Sequence, residues 1–187
     1  MKIGKAILVI AIIALCAVNV FAGAKKEEGA KQKAINEMVV GFAQDTLNQP
    51  WRNYQATCVQ KEVEKAGAKA MVTDGGGQAQ TQIKNIEDML VKGLDLLMAS
   101  PLSEGPLTQV VSQAYKSGVP VVLIDRGITT KDYTCFVHTD NFALASMNAD
   151  YIAERLKAKY GSAKGNVVVV EGVPGSTTAV ERGDGFK

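Results

Sequence analysis

Uncharged apolar runs recur along this chain, and amphipathic stretches separate them. The clearest runs are "VVLI" within residues 119–125 and "VVVV" within residues 166–172. A strand that is apolar at every position is buried on both of its faces, which is typical of a parallel sheet. Parallel strands need long crossover connections, and helices supply them. We therefore predict an α/β fold, in which helices cover both faces of a parallel sheet.

The same alternation continues over most of the chain. Apolar side chains at helical spacing, such as Ile83, Ile86, Met89 and Leu90, predict a helix that Gly93 ends. The predicted strands cover residues 37–44, 68–75, 94–101, 119–125, 133–140 and 166–172, and the predicted helices cover residues 52–66, 78–92, 107–116 and 141–159.

Residues 1–22 have the composition of a secretory signal peptide. Lys2 and Lys5 precede a long apolar run, and "VFA" at its end places small residues where a signal peptidase reads. We predict cleavage near Ala22 and a periplasmic or other extracytoplasmic location. A membrane anchor is the alternative, although the run is short for a bilayer span.

The three cysteines leave two questions open. Cys16 lies in the apolar leader, but the bulky Leu15 before it disfavours lipid anchoring at Cys16. Cys58 and Cys135 would both be in the exported part, where a disulfide can form. Two free thiols are the equal alternative, because a sequence cannot place the two side chains within bonding distance.

Residues 23–35 are small and charged without apolar periodicity, so they predict a solvated tether. Without residues 1–22, which contain two lysines and no acid, the 21 basic residues fall to 19 and equal the 19 acidic ones. This balance gives no reason to expect a nucleic-acid partner. A hydrophobic fraction of 47% is that of a globular protein rather than a disordered one.

Polar residues follow several of the predicted strands. Open α/β sheets bind ligands outside the carboxyl ends of their strands, so these residues are the candidates for a site. They are Asp45, Gln49, Trp51 and Arg52 after the first strand, and Asp125 and Arg126 after the fourth. Carboxylates accept hydrogen bonds from vicinal hydroxyls, guanidinium groups donate to them, and an aromatic ring covers an apolar C–H face. The pattern predicts a pocket for a neutral, hydroxyl-rich ligand.

Plainer structural interpretations of these residues stay open. Asp45 could start a helix as an N-cap, and Trp51 could belong to the core. Asp125 and Arg126 could form a surface ion pair. "GGG" at residues 75–77 predicts a turn rather than a phosphate loop, because no Lys-Ser or Lys-Thr follows it.

Signals of catalysis are weak in this sequence. His138 is the only histidine, no "GxSxG" motif occurs, and no ligands are spaced for a metal. We predict a protein that is not an enzyme, with no catalytic residue, no metal and no cofactor. The catalytic alternative is an exported hydrolase that uses Asp45 and Asp125 as a carboxylate pair.

Five motifs in order, over about residues 38–186, resemble the periplasmic sugar-binding proteins of bacterial ABC transporters, of the ribose- and galactofuranose-binding type. The motifs are "GFAQDTLNQPWR", "NIEDMLVKGLDLLMASP", "GVPVVLIDRG", "HTDN" and "GSTTAVERGDGF". The resemblance implies two α/β lobes of flavodoxin-like topology that close over one sugar about a hinge. It also implies a monomer, when complete, that delivers the sugar to a membrane permease.

The resemblance implies roles for particular residues. Asp125 and Arg126 would hold ring hydroxyls, Trp51 would stack on the sugar, and Arg182 would reach the sugar from the second lobe. Arg52 matches the arginine of the galactofuranose type and differs from the phenylalanine of ribose binders, which favours an additional polar contact with the sugar. Asp45 and Gln49 stand where ribose binders have serine and asparagine, so ribose itself is in doubt as the ligand.

The predicted domains are a signal peptide over residues 1–22, a tether over 23–35, an N-terminal lobe over 36–139 and the start of a second lobe over 140–187. We expect a truncated chain, since a complete second lobe would need more strands. The predicted function is capture of a pentose, hexose, furanose or polyol for an ABC permease. The alternative on the same fold is a sugar sensor for a chemoreceptor or kinase.

Overall fold

A computed structural model describes residues 33–187 of the chain. The predicted signal peptide, its cleavage site, Cys16 and most of the predicted tether lie outside the described residues, so the structure does not test them. Within residues 33–187, no helix is both long enough and apolar enough to cross a membrane.

Five parallel strands form one sheet in this part of the chain. The strands are β1 (Val39–Gln44), β2 (Lys69–Asp74), β3 (Leu96–Ala99), β4 (Val121–Ile124) and β5 (Cys135–Val137). Their order across the sheet is β2-β1-β3-β4-β5, which is the flavodoxin-like order that the resemblance implied. The predicted α/β class with a parallel sheet is confirmed.

Five α-helices accompany the sheet within residues 33–187. They are α1 (Pro50–Lys65), α2 (Ala79–Lys92), α3 (Glu104–Lys116), α4 (Asn141–Tyr160) and α5 (Thr177–Phe186). Right-handed crossovers place α1 on one face of the sheet and α2 and α3 on the other, because the chain reverses direction across the sheet after β2. Packing of α2 against α3 agrees with this arrangement.

The main apolar core lies between the sheet and the α2–α3 layer. Leu97 and Leu123 from the sheet, together with Ile86 and Val111 from the two helices, have no exposed surface. These strands are apolar at every position because they lie in the middle of the sheet. β5, at the edge, is more exposed.

Two helices begin earlier than the apolar periodicity predicted. α1 begins at Pro50 rather than Arg52, and α3 begins at Glu104 and includes Pro106 in its first turn. Proline is tolerated in a first turn, where the missing N–H has no partner inside the helix, so it marks a helix start without apolar periodicity.

The predicted strand over residues 166–172 is wrong. These residues are exposed, and none is assigned to a strand. The composition "NVVVV" favours a strand, but a strand also needs a neighbour with which to exchange backbone hydrogen bonds. Among the described residues, β5 pairs only with β4, and no strand lies beside residues 166–172.

Cys58 and Cys135 are both free thiols in the structure. Cys58 lies on α1, which packs on β1 and β2, whereas Cys135 begins β5 at the opposite edge of the sheet. β1 and β5 are separated by three strand spacings, about 14 Å, which is well beyond the reach of a disulfide.

Gly185 lies where α5 packs closely against the start of α4. A Cβ at Gly185 would collide with the backbone carbonyl oxygen of Phe142, whereas a Cβ at Gly183 on the same helix would meet no atom within 4 Å. We therefore expect Gly185→Ala to lower the free energy of unfolding by about 1–3 kcal/mol, as overpacking does. Gly183→Ala is the matched control and should raise it by up to about 1 kcal/mol through helix propensity. Urea unfolding of the two variants tests this, and equal midpoints would contradict the close packing of α4 on α5.

Candidate functional site

Four charged side chains meet at the carboxyl ends of the central strands. Asp45 directly follows β1, Arg52 lies in the first turn of α1, and Asp125 and Arg126 directly follow β4. Because β1, β3 and β4 are consecutive in the sheet, their ends bring these residues together. We call Asp45, Arg52, Asp125 and Arg126 the charged quartet.

Each arginine of the quartet is paired with an aspartate. Nη1 of Arg126 donates to Oδ2 of Asp45 at 2.8 Å, and Nη2 of Arg52 lies 2.9 Å from Oδ2 of Asp125. Nε of Arg52 also lies 3.3 Å from Oδ1 of Asp45. The alternative of an isolated surface pair between Asp125 and Arg126 does not hold, since their closest charged atoms are 3.9 Å apart and both bind other members of the quartet.

The quartet is largely removed from water. Asp45 is 2% exposed, Arg52 3% and Arg126 8%, whereas the side chain of Asp125 is 25% exposed. Burial raises the pKa of Asp45, and the charges of Arg52 and Arg126 with the Thr46 N–H offset only part of the rise. Burial, and then the nearby charge of Arg52, lower the pKa of Arg126, which remains a cation at neutral pH.

Two buried donors of the quartet remain unsatisfied. Within residues 33–187, Nε of Arg52 and Nε of Arg126 make no hydrogen bond. Both atoms lie near carboxylates without hydrogen-bond geometry: Nε of Arg52 is 3.3 Å from Oδ1 of Asp45, and Nε of Arg126 is 3.9 Å from Oδ2 of Asp125. Arg126 also lines a cleft.

Asp125 has a left-handed backbone, with φ of 67°. It is the only residue other than glycine with positive φ among residues 33–187. Aspartate tolerates this region better than most residues but still at some cost, and such strain is concentrated at functional sites. The Asp125 N–H continues the pairing of β4 with β5 by donating to the carbonyl oxygen of Val137 at 2.8 Å.

Two buried polar side chains that sequence reasoning missed support the quartet. Gln82 of α2 is fully buried, and its Nε2 donates to the carbonyl oxygens of Ala43 and Ser100 at 3.1 and 2.9 Å. Its Oε1 accepts from the N–H of Leu102 at 2.9 Å. Ser100 Oγ in turn accepts from Nη1 of Arg52 at 2.9 Å. Gln82 thus fixes the loop after β3 behind the quartet.

Gln49 and Trp51 lie at the solvent-facing start of α1. Gln49 is exposed, and Trp51 is 53% exposed, so Trp51 is not a core residue. The guanidinium carbon of Arg52 is 5.2 Å from the centroid of the Trp51 ring, a cation–π distance. The ring therefore has an orientation partly fixed by the quartet while much of its surface remains open.

A cleft of ≈ 630 Å³ brings three of the predicted residues together at its walls. They are Gln49, Arg126 and Arg182. α4, α5 and residues 168–173 supply most of the remaining surface. Nε of Arg182 donates to Oδ1 of Asn141 at 2.9 Å, which fixes its guanidinium at the start of α4. The other four predicted residues do not line this cleft: Asp45, Arg52 and Asp125 lie in the quartet, and Trp51 lies at the start of α1.

The four charges of the quartet sum to zero, and the groups around it are hydrogen-bond donors and acceptors. Within the described part of the chain, no group of three or more His, Cys, Asp and Glu side chains could hold a metal ion. The arrangement can accept hydrogen bonds at Asp125 and donate them from Arg126 and Gln49, next to an exposed aromatic ring. It is therefore suited to a ligand with several hydroxyl groups and no net charge.

Comparisons with known proteins agree with this geometry. Residues 40–187 match the family model described as the periplasmic binding protein domain. The ribose import binding protein of Bacillus subtilis is 33% identical over 151 residues, which are 80% of this chain and 48% of that protein. The galactofuranose-binding protein of Escherichia coli is 28% identical over 152 residues, which are 80% of this chain and 46% of that protein.

A solved structure shows the same fold. The fructose binding periplasmic domain of a hybrid two component system superposes with a TM-score of 0.72 at 31% identity, and the match covers 80% of this chain and 48% of that one. The resemblance inferred from the five sequence motifs is confirmed. The chain spans about half the length of the curated relatives that it matches.

Proposed function

Because the chain belongs to the periplasmic binding protein domain family, we propose that it binds a sugar or polyol outside the cytoplasmic membrane. The observation that carries the proposal is the charge-balanced quartet, whose Arg126 lines the cleft together with Gln49 and Arg182. Relatives named for ribose, galactofuranose and D-xylose support a sugar as the ligand class. A structure with bound myo-inositol extends the class to polyols.

Each of the seven predicted residues has a place in this proposal. Asp125 accepts from ring hydroxyls, and Arg126 and Gln49 donate to ring oxygens. Trp51 covers an apolar C–H face of the sugar, and Arg182 contacts the ligand from the α4–α5 side of the cleft. Asp45 and Arg52 complete the charge balance beneath them, which favours an uncharged ligand because a buried net charge would be costly.

In the whole protein, binding would close two lobes over the ligand. A ligand that makes contacts from both sides stabilises the closed state through its higher affinity for that state. The closed form would then deliver the sugar to the permease of an ABC transporter. We propose no chemical step, because hydroxyl recognition is all that these residues need to supply.

A sensor on the same fold is the second candidate function. It is favoured by one observation, the similarity to the fructose binding periplasmic domain of a hybrid two component system. In that case the closed state would signal to a kinase rather than load a permease. Both candidates need the same sugar site, so sugar binding is tested first.

Trp51 is the only tryptophan in the sequence, so its fluorescence reports on the proposed site alone. We expect the emission of Trp51 to change, and its quenching by acrylamide to fall, when the correct sugar from a panel of pentoses, hexoses, furanoses and polyols is added. A sugar at 100 times its Kd should also stabilise the chain by about 2.7 kcal/mol in a thermal-shift assay. Galacturonate is the control ligand, and its carboxylate should prevent binding. A folded chain that responds to no member of the panel would contradict the proposal.

A further inference from the structure

Asp45 and Arg52 differ from the other members of the charged quartet in their burial. Both side chains are 3% exposed, and neither lines the cleft. They contact the two less buried members of the quartet, Asp125 and Arg126, whose side chains are 25% and 9% exposed. A charge this deeply buried is stable only if other groups compensate it, so its contacts indicate its role.

Asp45 and Arg52 each bind one of the two less buried residues of the quartet. Asp45 accepts from Nη1 of Arg126 at 2.8 Å, and Nη2 of Arg52 contacts Oδ2 of Asp125 at 2.9 Å. Each member of the pair is also anchored to the sheet ends. Oδ1 of Asp45 accepts from the N–H of Thr46 at 2.9 Å, and Nη1 of Arg52 donates to Oγ of Ser100 at 2.9 Å.

We propose that Asp45 and Arg52 are positioning residues, which fix the side chains of Arg126 and Asp125 for ligand binding without contacting the ligand themselves. This inference rests on the proposed function. Nη1 of Arg126 is fully used, since it donates to Asp45 and to the carbonyl oxygen of Leu102 at 3.1 Å. The planar guanidinium is thereby held in one orientation, which sets the direction of its remaining N–H groups. Fixing a side chain before binding reduces the entropy lost when the ligand binds.

The positioning of Arg126 can be measured without any ligand. In the chain labelled with ¹⁵N-arginine, we expect the Nε–H of Arg126 to exchange with water at least about tenfold more slowly than that of the exposed Arg155. Asp45→Ala should abolish this protection and leave Arg155 unchanged. Asp45→Asn keeps an oxygen that can accept from Nη1 and should restore part of the protection. Unchanged exchange of Arg126 in Asp45→Ala would overturn the positioning role, whether or not a sugar binds.

The second measurement is the affinity of the same variants for the sugar found with Trp51 fluorescence. We expect Asp45→Ala to weaken binding by about tenfold, since one fixed hydrogen-bond donor is released, and Asp45→Asn to weaken it less. Circular dichroism establishes that each variant is folded, and Asp45→Asn serves if Asp45→Ala does not fold. If Asp45→Ala releases Arg126 but leaves the affinity for the sugar unchanged, the inference is overturned.

The two proposals fail in different ways. In one outcome, Arg126 is protected in the native chain and released in Asp45→Ala, but no sugar stabilises the chain. This outcome would support the positioning contact and contradict the proposed function. Sugar binding that is equally tight in the native chain and in Asp45→Ala would support the proposed function and contradict the positioning role.

Discussion

Gln82→Leu is expected to lower the free energy of unfolding by about 3 kcal/mol, although leucine and glutamine have similar volumes. The side chain of Gln82 is fully buried and bridges the loop after β3 to β1. Leucine would fill the space but would leave the carbonyl of Ser100 and the N–H of Leu102 without their partner. Each buried polar group that loses its hydrogen bond costs about 1–3 kcal/mol.

Gln80→Leu is the matched control, because Gln80 is exposed on the same helix α2. The control variant should change the free energy of unfolding by less than about 0.5 kcal/mol. Urea unfolding of the two variants measures the difference. Equal midpoints would mean that the loop after β3 does not depend on Gln82. A consequence for the site is also expected, since Ser100 contacts Arg52 and Leu102 contacts Arg126.

Gln82 could in principle have been found from the sequence. It lies four and seven residues before Ile86 and Met89, and therefore on the apolar face of α2. A polar residue on the buried face of a helix must have a partner there. What the spacing could not provide is the partner, because Ser100 and Leu102 belong to a loop whose course depends on the packing of three elements.

The sheet and the location of the quartet were predictable for a simpler reason. Runs such as "VVLI" at β4 are apolar throughout, and only a strand covered on both faces needs that composition. Once the sheet is parallel, Asp45 and Asp125 must lie at the same edge. The sequence could not indicate that Asp45 and Arg52 are more deeply buried than Asp125, since burial depends on how α1 approaches the end of β1.

Residues 166–172 show the limit of composition as a predictor. "VVVV" has the same character as "VVLI", yet only the second forms a strand in the structure. Strand formation is a property of a pair of segments, and the described residues place no strand beside residues 166–172. The composition of one segment therefore predicts that it can form a strand, but whether it does so depends on a neighbouring strand.

Asp125→Gly is expected to weaken sugar binding by about a hundredfold and to lower the free energy of unfolding by about 1–3 kcal/mol. A hydrogen bond to a charged group contributes about 1.5–3 kcal/mol, and this variant removes the carboxylate that we propose accepts from the ring hydroxyls. The loss of the contact with Arg52 destabilises the chain, but glycine takes a φ of 67° without strain, which offsets part of that loss.

Asp125→Ala separates the backbone from the carboxylate, because alanine also lacks the charge but cannot take a left-handed φ freely. We expect the alanine variant to bind sugar as weakly as the glycine variant and to be about 1–2 kcal/mol less stable than it. Fluorescence titration of Trp51 gives the affinities, and urea unfolding gives the stabilities. Equal stability of the two variants would contradict the strained turn after β4, and unchanged affinity in both would remove Asp125 from the proposed site. If both expectations hold, the strain at Asp125 is the cost of presenting a carboxylate at the carboxyl end of β4, where the ligand is bound.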